Sequence, residues 1–174
     1  MRVSIGSLIS TAVTLWAHSA SAVDLKFYYA NCAGLFGACQ NIPAGQCCTA
    51  STAPGASVQS TGSDVYYTFT WPHASCSIGG SQSRSGGEGC IRPNWAAYAA
   101  LWETQLLNRD EASITDKKEC TEVDSFGFTD SKTGQDRLFP IPPTQRAQIM
   151  AALYRGDHEA LRMTAGIFAE EEAY

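Results

Sequence analysis

Seven cysteines set the main constraint on this chain, and four of them fall in one stretch, LKFYYANCAGLFGACQNIPAGQCC, at residues 25–48. The full set is Cys32, Cys39, Cys47, Cys48, Cys76, Cys90 and Cys120. In an oxidising compartment such a set pairs, and an odd count leaves one thiol over. Adjacent cysteines are poorly placed to bridge each other, so Cys47 and Cys48 are expected to reach two different partners, both within residues 32–76. Cys120 is the expected odd one out. The rest of the connectivity stays open at this level.

The first 22 residues supply the compartment. Arg2 precedes an apolar run through Ile5, Leu8, Ile9, Ala12, Val13, Leu15 and Trp16, and the small residues Ser19, Ala20, Ser21 and Ala22 follow. That order reads as a secretory signal cut before Val23. The run is too short, and too interrupted by Ser10, Thr11 and Thr14, to span a bilayer. A secreted, extracellular chain without a membrane span is therefore expected. Arg2 is the one formally charged side chain in the segment, so the remainder is more acidic still than the whole-chain net charge of −5. Such a balance repels nucleic acid and anionic lipid. Residues 23–174 are long enough for a real hydrophobic core, which the bridges then reinforce.

Along the chain, residues 23–29 place Leu25, Phe27 and Tyr29 on one face and Lys26 and Tyr28 on the other, a half-buried strand. Turn residues at 31–34 should fold it back as a hairpin. Pro43 and Gly45 mark a second turn that delivers Cys47 and Cys48, and residues 48–54 read as loop. Residues 57–60 and 64–71 return to β-branched and aromatic types around Thr61, Gly62 and Ser63, which predicts another hairpin, ended by Pro72. Residues 77–89 are almost all Gly and Ser and cannot offset the entropy of ordering by burying apolar surface. A Cys76–Cys90 bridge would close that loop, worth roughly 3 kcal/mol in the chain-entropy model. No phosphate cradle is expected there, because no Gly-Lys-Ser/Thr ending follows.

Composition changes at Ile91. Trp95, Tyr98, Ala99, Trp102 and Leu106 recur at three- and four-residue steps, so residues 94–107 read as an amphipathic helix packed on a core. Charged residues at 108–122 form a surface connection that carries Cys120. Residues 123–129 and 137–141 predict a short hairpin about the turn at 130–134. Pro142 and Pro143 then start a helix with Thr144 as its cap and Ile149, Met150 and Leu153 as its apolar face; Gly156 breaks it and Asp157 caps a second segment.

The chemistry inventory is sparse. Beyond the expected cleavage point the histidines are His73 and His158, in unlike settings, and neither a zinc-protease helix motif nor a nucleophile elbow is present. Glu103, Asp110, Glu111, Asp116, Glu119, Glu122, Asp124, Asp130 and Asp136 could supply a glycosidase pair, but nothing in linear sequence selects two of them. No calcium loop occurs, the cysteines are accounted for as bridges, and neither a cofactor nor a metal site is expected. Arg155-Gly156-Asp157 spells a tripeptide read by some animal cell-surface receptors, yet a helix break followed by an N-cap explains it fully.

At CAGLFGACQNIPAGQCC the chain resembles small cysteine-rich secreted proteins of filamentous fungi, in which a strand leads to Cys-x-Gly, a further Cys, an Ile-Pro-x-Gly turn and a Cys-Cys pair. The order Phe27-Tyr28, Gly34 and then the strand at Ser57-Val58 also resembles a βγ-crystallin-type Greek key. That resemblance implies a small β-sandwich over residues 23–91. The family's calcium-binding signature is not visible before Ser57, where Ala53-Pro54-Gly55-Ala56 stands, so calcium binding is not implied. Effector- or toxin-like action is likewise what the kinship implies.

The expected architecture is α+β. Residues 1–22 form a signal peptide, residues 23–91 a disulfide-stapled antiparallel β-sandwich-like module, and residues 92–174 a helical and hairpin region packed on it. The expected function is non-enzymatic surface recognition of an extracellular protein or a cell-wall glycan. Tyr66, Tyr67 and Trp71 are the candidate recognition aromatics, which would make the chain lectin-like; the alternative is a small secreted hydrolase with paired carboxylates. Intact mass beside thiol titration should return three bridges and one thiol on a monomer. A dimer that reduction splits would instead make the odd cysteine an assembly link.

Overall fold

The computed structural model describes residues 22–62, 67–77, 83–86, 89–104, 120–130, 132–164 and 166. The expected signal lies outside the described residues apart from Ala22. Strand β1, Ala22–Tyr28, pairs antiparallel with β2, Leu35–Pro43, on one side and with β4, Ser57–Thr61, on the other. The hairpin between β1 and β2 turns through left-handed backbone at Cys32 (φ 44°) and Gly34 (φ 77°). With β7 (Cys90–Ile91), β10 (Ser125–Thr129) and β11 (Asp136–Pro140) these form a six-stranded antiparallel sheet in the order β11-β10-β2-β1-β4-β7.

A five-stranded sheet runs β6-β5-β8-β3-β9. Its strands are β3 (Cys48–Thr49), β5 (Tyr67–Trp71), β6 (Ser83–Gly86), β8 (Ala99–Glu103) and β9 (Thr121–Glu122). Among the described residues its parallel pairing joins β3 to β9. A 3-10 turn at Pro143–Gln145 leads into helix α1, Arg146–Arg155, and α2 follows at His158–Thr164. One hydrophobic cluster takes Leu25 and Phe27 from β1, Cys39 from β2, Cys48 from β3, Trp102 from β8, Phe126 from β10, and Ile149 and Leu153 from α1. The two sheets and the first helix thus bury their apolar faces together, with strands from both sides of Ile91 in each sheet.

Three bridges hold this arrangement: Cys32–Cys90, Cys39–Cys48 and Cys47–Cys76. Cys48 and Cys47 point to different partners, and Cys120 keeps its thiol. The loop-closing Cys76–Cys90 bridge does not form, because Cys90 sits on β7 beside β4, within reach of the β1–β2 turn that carries Cys32.

Several local expectations are corrected. Residues 99–103 form strand β8, not part of a helix. Ala99 and Leu101 face one apolar cluster and Ala100 and Trp102 another, so both faces are buried. A doubly buried strand is a continuous apolar run, and such a run mimics helical spacing. Five residue pairs to β5, from Tyr67↔Glu103 to Trp71↔Ala99, override the local preference. The strands at 57–60 and 67–71 are not a hairpin: β4 joins β1 while β5 joins β8 in the other sheet, and they meet through the buried hydroxyls of Ser60 and Thr68, 2.6 Å apart. Within the Gly/Ser stretch, β6 pairs with β5, since a ladder of backbone hydrogen bonds needs no apolar side chain. Part of the expected loop at 48–54 is strand β3. Thr144 does not cap α1: the 3-10 turn intervenes, and Gln145 stands at the N-cap without a side-chain bond.

β1 is buried on both faces. Lys26 is 5 % exposed and Tyr28 only 1 %, because the outer face carries its own cluster of Tyr28, Phe36 and Ala38, packed by Cys32 and Leu138. Lys26 pairs with Asp136 of β11 and lies 5.4 Å over the Phe36 ring. Lys26 is the buried member and Asp136 sits at the surface, so removing Asp136 strands a buried charge, which is worse than removing both. Asp136→Ala should therefore lower unfolding stability by about 2–4 kcal/mol, whereas Lys26→Met with Asp136→Ala should recover most of the loss. Urea unfolding of both variants checks this, and equal losses would contradict it.

Candidate functional site

The carboxylates expected to offer a catalytic pair are scattered and engaged. Glu103 is buried on β8. Asp124 accepts hydrogen bonds from the Gln40 backbone amide (3.3 Å) and the Ser125 hydroxyl (3.0 Å). Asp130 accepts from the Lys132 and Thr133 amides in the β10–β11 turn; those bonds stabilise its charged form and hold its carboxyl below the usual range. Asp136 serves Lys26. Asp110, Glu111, Asp116 and Glu119 lie outside the described residues. His73 bonds Ser75 through Nδ1 at 2.9 Å, and His158 opens α2. In the Arg-Gly-Asp tripeptide, Gly156 takes φ 66° as the C-cap of α1, and Asp157 accepts from the Ala160 amide at 3.0 Å. The Asp157 side chain is thus committed to the start of α2.

The recognition aromatics divide in the same way. Trp71 is 2 % exposed and its indole N–H donates to the Ser77 carbonyl at 3.0 Å, so it cannot offer a stacking face. Tyr67 is half-buried against Phe69, with ring centroids 6.1 Å apart. Tyr66 lies outside the described residues. Among the described residues the exposed aromatic is Tyr154, at 65 %, on α1. It lies off the buried face formed by Ile149, Met150 and Leu153, and nothing in the linear sequence pairs it with a distant loop.

Tyr154 lines a groove of about 760 Å³ between α1 and residues 49–52. Pro143, Ala147, Met150 and Ala151 form its apolar wall; Thr49, Ser51, Thr52, Glu122, Arg146 and Arg155 supply its polar atoms. The geometry follows from the sheet. Cys48 and Thr49 pair in parallel with Thr121 and Glu122, which brings Glu122 beside Ser51. The Ser51 hydroxyl donates to Glu122 Oε1 at 3.3 Å, and Arg146 Nη1 reaches Glu122 Oε2 at 3.2 Å and the Val123 carbonyl at 2.8 Å. Arg146 therefore ties the first turn of α1 to the edge strand β9. Arg155 stands exposed at the other end of the helix. Glu122 is the one carboxylate among the described residues of the lining, and both its oxygens are engaged. The site can hold an apolar group and meet an acidic one, but it does not present two opposed carboxylates.

A second cluster of chemistry lies elsewhere. The sulfurs of Cys47, Cys76 and Cys120 all fall within 4.8 Å of one another. Burial pushes the Cys120 thiol above its ordinary value, against a backbone hydrogen bond at Cys76 that pulls it down.

Tyr28 is also shifted, and it lies near a charge. Burial, and then the negative field of Asp136, push its hydroxyl up to about 12, against a hydrogen bond from Thr129. Tyr29 is raised by burial alone and donates to the Ala53 carbonyl at 3.1 Å. A folded-state value above the unfolded one means the native state binds more protons between the two, so stability is full below about pH 10 and falls as pH rises toward 12. Alkaline unfolding followed by tyrosine absorbance should show this fall, and Tyr28→Phe should make it shallower. An unchanged profile would contradict the assignment.

No curated protein and no solved structure matched the chain. A family model did match, over residues 24–124, more than half of the 174. That stretch runs from β1 to just beyond β9 and contains all seven cysteines, hence every bridge and the three-sulfur cluster. The chain belongs to the family of ARB_05566_N, an N-terminal domain.

Proposed function

We propose that this protein is a secreted recognition module of the effector- or toxin-like kind, built as a disulfide-stapled β-sandwich, which binds an extracellular protein through the groove between α1 and residues 49–52. The groove itself carries the reading. Its wall of Pro143, Ala147, Met150 and Ala151 suits an apolar side chain, and exposed Arg155 beside it suits a neighbouring carboxylate. Around the groove the whole chain is acidic, with a net charge of −5, so the basic end of α1 is a local exception that orients an acidic segment. The bridges and the shared core keep both walls in place before binding, which limits the ordering cost of association. Glu122, already held by Ser51 and Arg146, favours binding over two-carboxylate hydrolysis.

A glycan is the second reading, favoured by the exposure of Tyr154, whose ring can stack on a sugar face. Peptide selection from a random displayed library against the oxidised protein separates the two. The protein reading expects peptides that combine an aliphatic or aromatic residue with a nearby acidic one. Ala151→Trp, which fills the groove from an exposed helix position, should weaken them at least about tenfold, or 1.4 kcal/mol, with unchanged unfolding. Selected binders indifferent to Ala151→Trp would overturn it. Capture on a glycan array that Tyr154→Ala abolishes would establish the second reading instead.

A further inference from the structure

The cluster of Cys47, Cys76 and Cys120 has a feature that neither the fold nor the groove uses: a free thiol held against a disulfide. A bridge and a thiolate in contact exchange by direct attack of sulfur on sulfur. Here the three sulfurs lie within 4.8 Å of one another, so no segment need travel far for the partners to meet.

We propose that Cys47, Cys76 and Cys120 form an exchange triad, in which Cys120 displaces Cys76 from Cys47 and the odd thiol moves between residues 120 and 76. The step needs no outside oxidant or reductant. Cys120 gives its proton to water and its sulfur attacks Cys47 Sγ. The Cys47–Cys120 bond forms as the Cys47–Cys76 bond breaks. The electron pair leaves on Cys76 Sγ, which takes a proton from water.

Two observations favour Cys47 as the sulfur attacked. The Thr121 amide donates to the Cys47 carbonyl at 2.8 Å, and Thr121 pairs with Cys48 in the parallel register, which sets residue 120 beside residue 47 on neighbouring chain paths. Neighbouring strands run about 4.8 Å apart, within the span a disulfide tolerates between Cα atoms. Cys76 is also the better leaving group. It is half-buried, whereas Cys47 is 3 % exposed, so a departing thiolate is better solvated at Cys76. Its sulfur already lies 3.5 Å from the Ala100 carbonyl, an acceptor in place for the liberated thiol. The exchange would release residues 72–77 from the start of β3 and tie that point to the start of β9 instead, so the protein offers its thiol to an external disulfide from either of two segments. A thiophilic metal on the same sulfurs would first require the bridge to be reduced.

The full oxidised chain tests this. It is held near pH 8, close to the ordinary pKa of a thiol, alkylated with N-ethylmaleimide at intervals, digested in acid without reduction, and mapped by mass spectrometry. The proposal expects label on both Cys120 and Cys76, with Cys47–Cys76 and Cys47–Cys120 cross-linked peptides in matching proportion. Label confined to Cys120, with Cys47–Cys76 as the sole bridge at Cys47 throughout, would overturn it. Cys76→Ser, folded in a glutathione buffer that supplies the oxidant, gives an independent reading: Cys47 should then bridge Cys120 and leave no titratable thiol, whereas two free thiols would refute the exchange.

Discussion

The bridge between Cys39 and Cys48 is the constraint on which the rest depends. Cys39 belongs to β2 of the six-stranded sheet and Cys48 to β3 of the five-stranded one, and both are fully buried. It is therefore a covalent tie between the two sheets, set inside the cluster they share. Its loop is short, with a sequence separation of 9, and the chain-entropy model assigns such a loop somewhat under 3 kcal/mol. Trp102 does comparable work beside it: the ring is wholly buried and its indole N–H donates to the Ile42 carbonyl at 2.7 Å. Truncating a buried Trp of this kind costs about 3–5 kcal/mol. Neither effect dominates, so bridge and packing fix the sheet spacing together.

The groove inherits its geometry from that tie. β3 is only two residues long and would be a weak element on its own, yet with Cys48 anchored it becomes the partner of both β8 and β9. β9 presents Glu122, and the next residue presents the Val123 carbonyl, to Arg146, which sets the entry of α1. One wall of the groove is thus attached to the disulfide core and the other is docked on it by Ile149 and Leu153. An exposed ion pair such as Glu122 with Arg146 contributes little to stability. Its weight lies in orientation.

Elements whose signals are local were legible in the sequence. The turn at Gly34, the β10–β11 hairpin, the apolar face of α1 at Ile149, Met150 and Leu153, the left-handed Gly156 and the cap at Asp157 each follow from residues within a few positions of one another. What failed was non-local. β8 is apolar on both faces because it lies between β5 and β3, and no short window separates that from a helix. Residues 57–71 carry two strands and a turn, the signature of a hairpin, but which strand pairs with which depends on the competing edge of β1. Trp71 is a candidate from the sequence because an aromatic face can stack on a sugar; pairing with β8 and the bond to the Ser77 carbonyl cover it. The groove joins residues 49–52, 122–123 and 143–155, and only the fold brings these together.

The central claim is that segments on both sides of Ile91 fold as one cooperative core around the Cys39–Cys48 bridge. Native-state hydrogen exchange of the oxidised chain tests it most directly, because amides that open only through global unfolding share one free energy. The account predicts that the amides of β1, β2, β8 and β10 exchange together at the highest protection, and that they lose it together as denaturant rises. Exchange of β8 and β10 at a distinctly lower free energy than β1 and β2 would contradict it and divide the chain into separately folding parts.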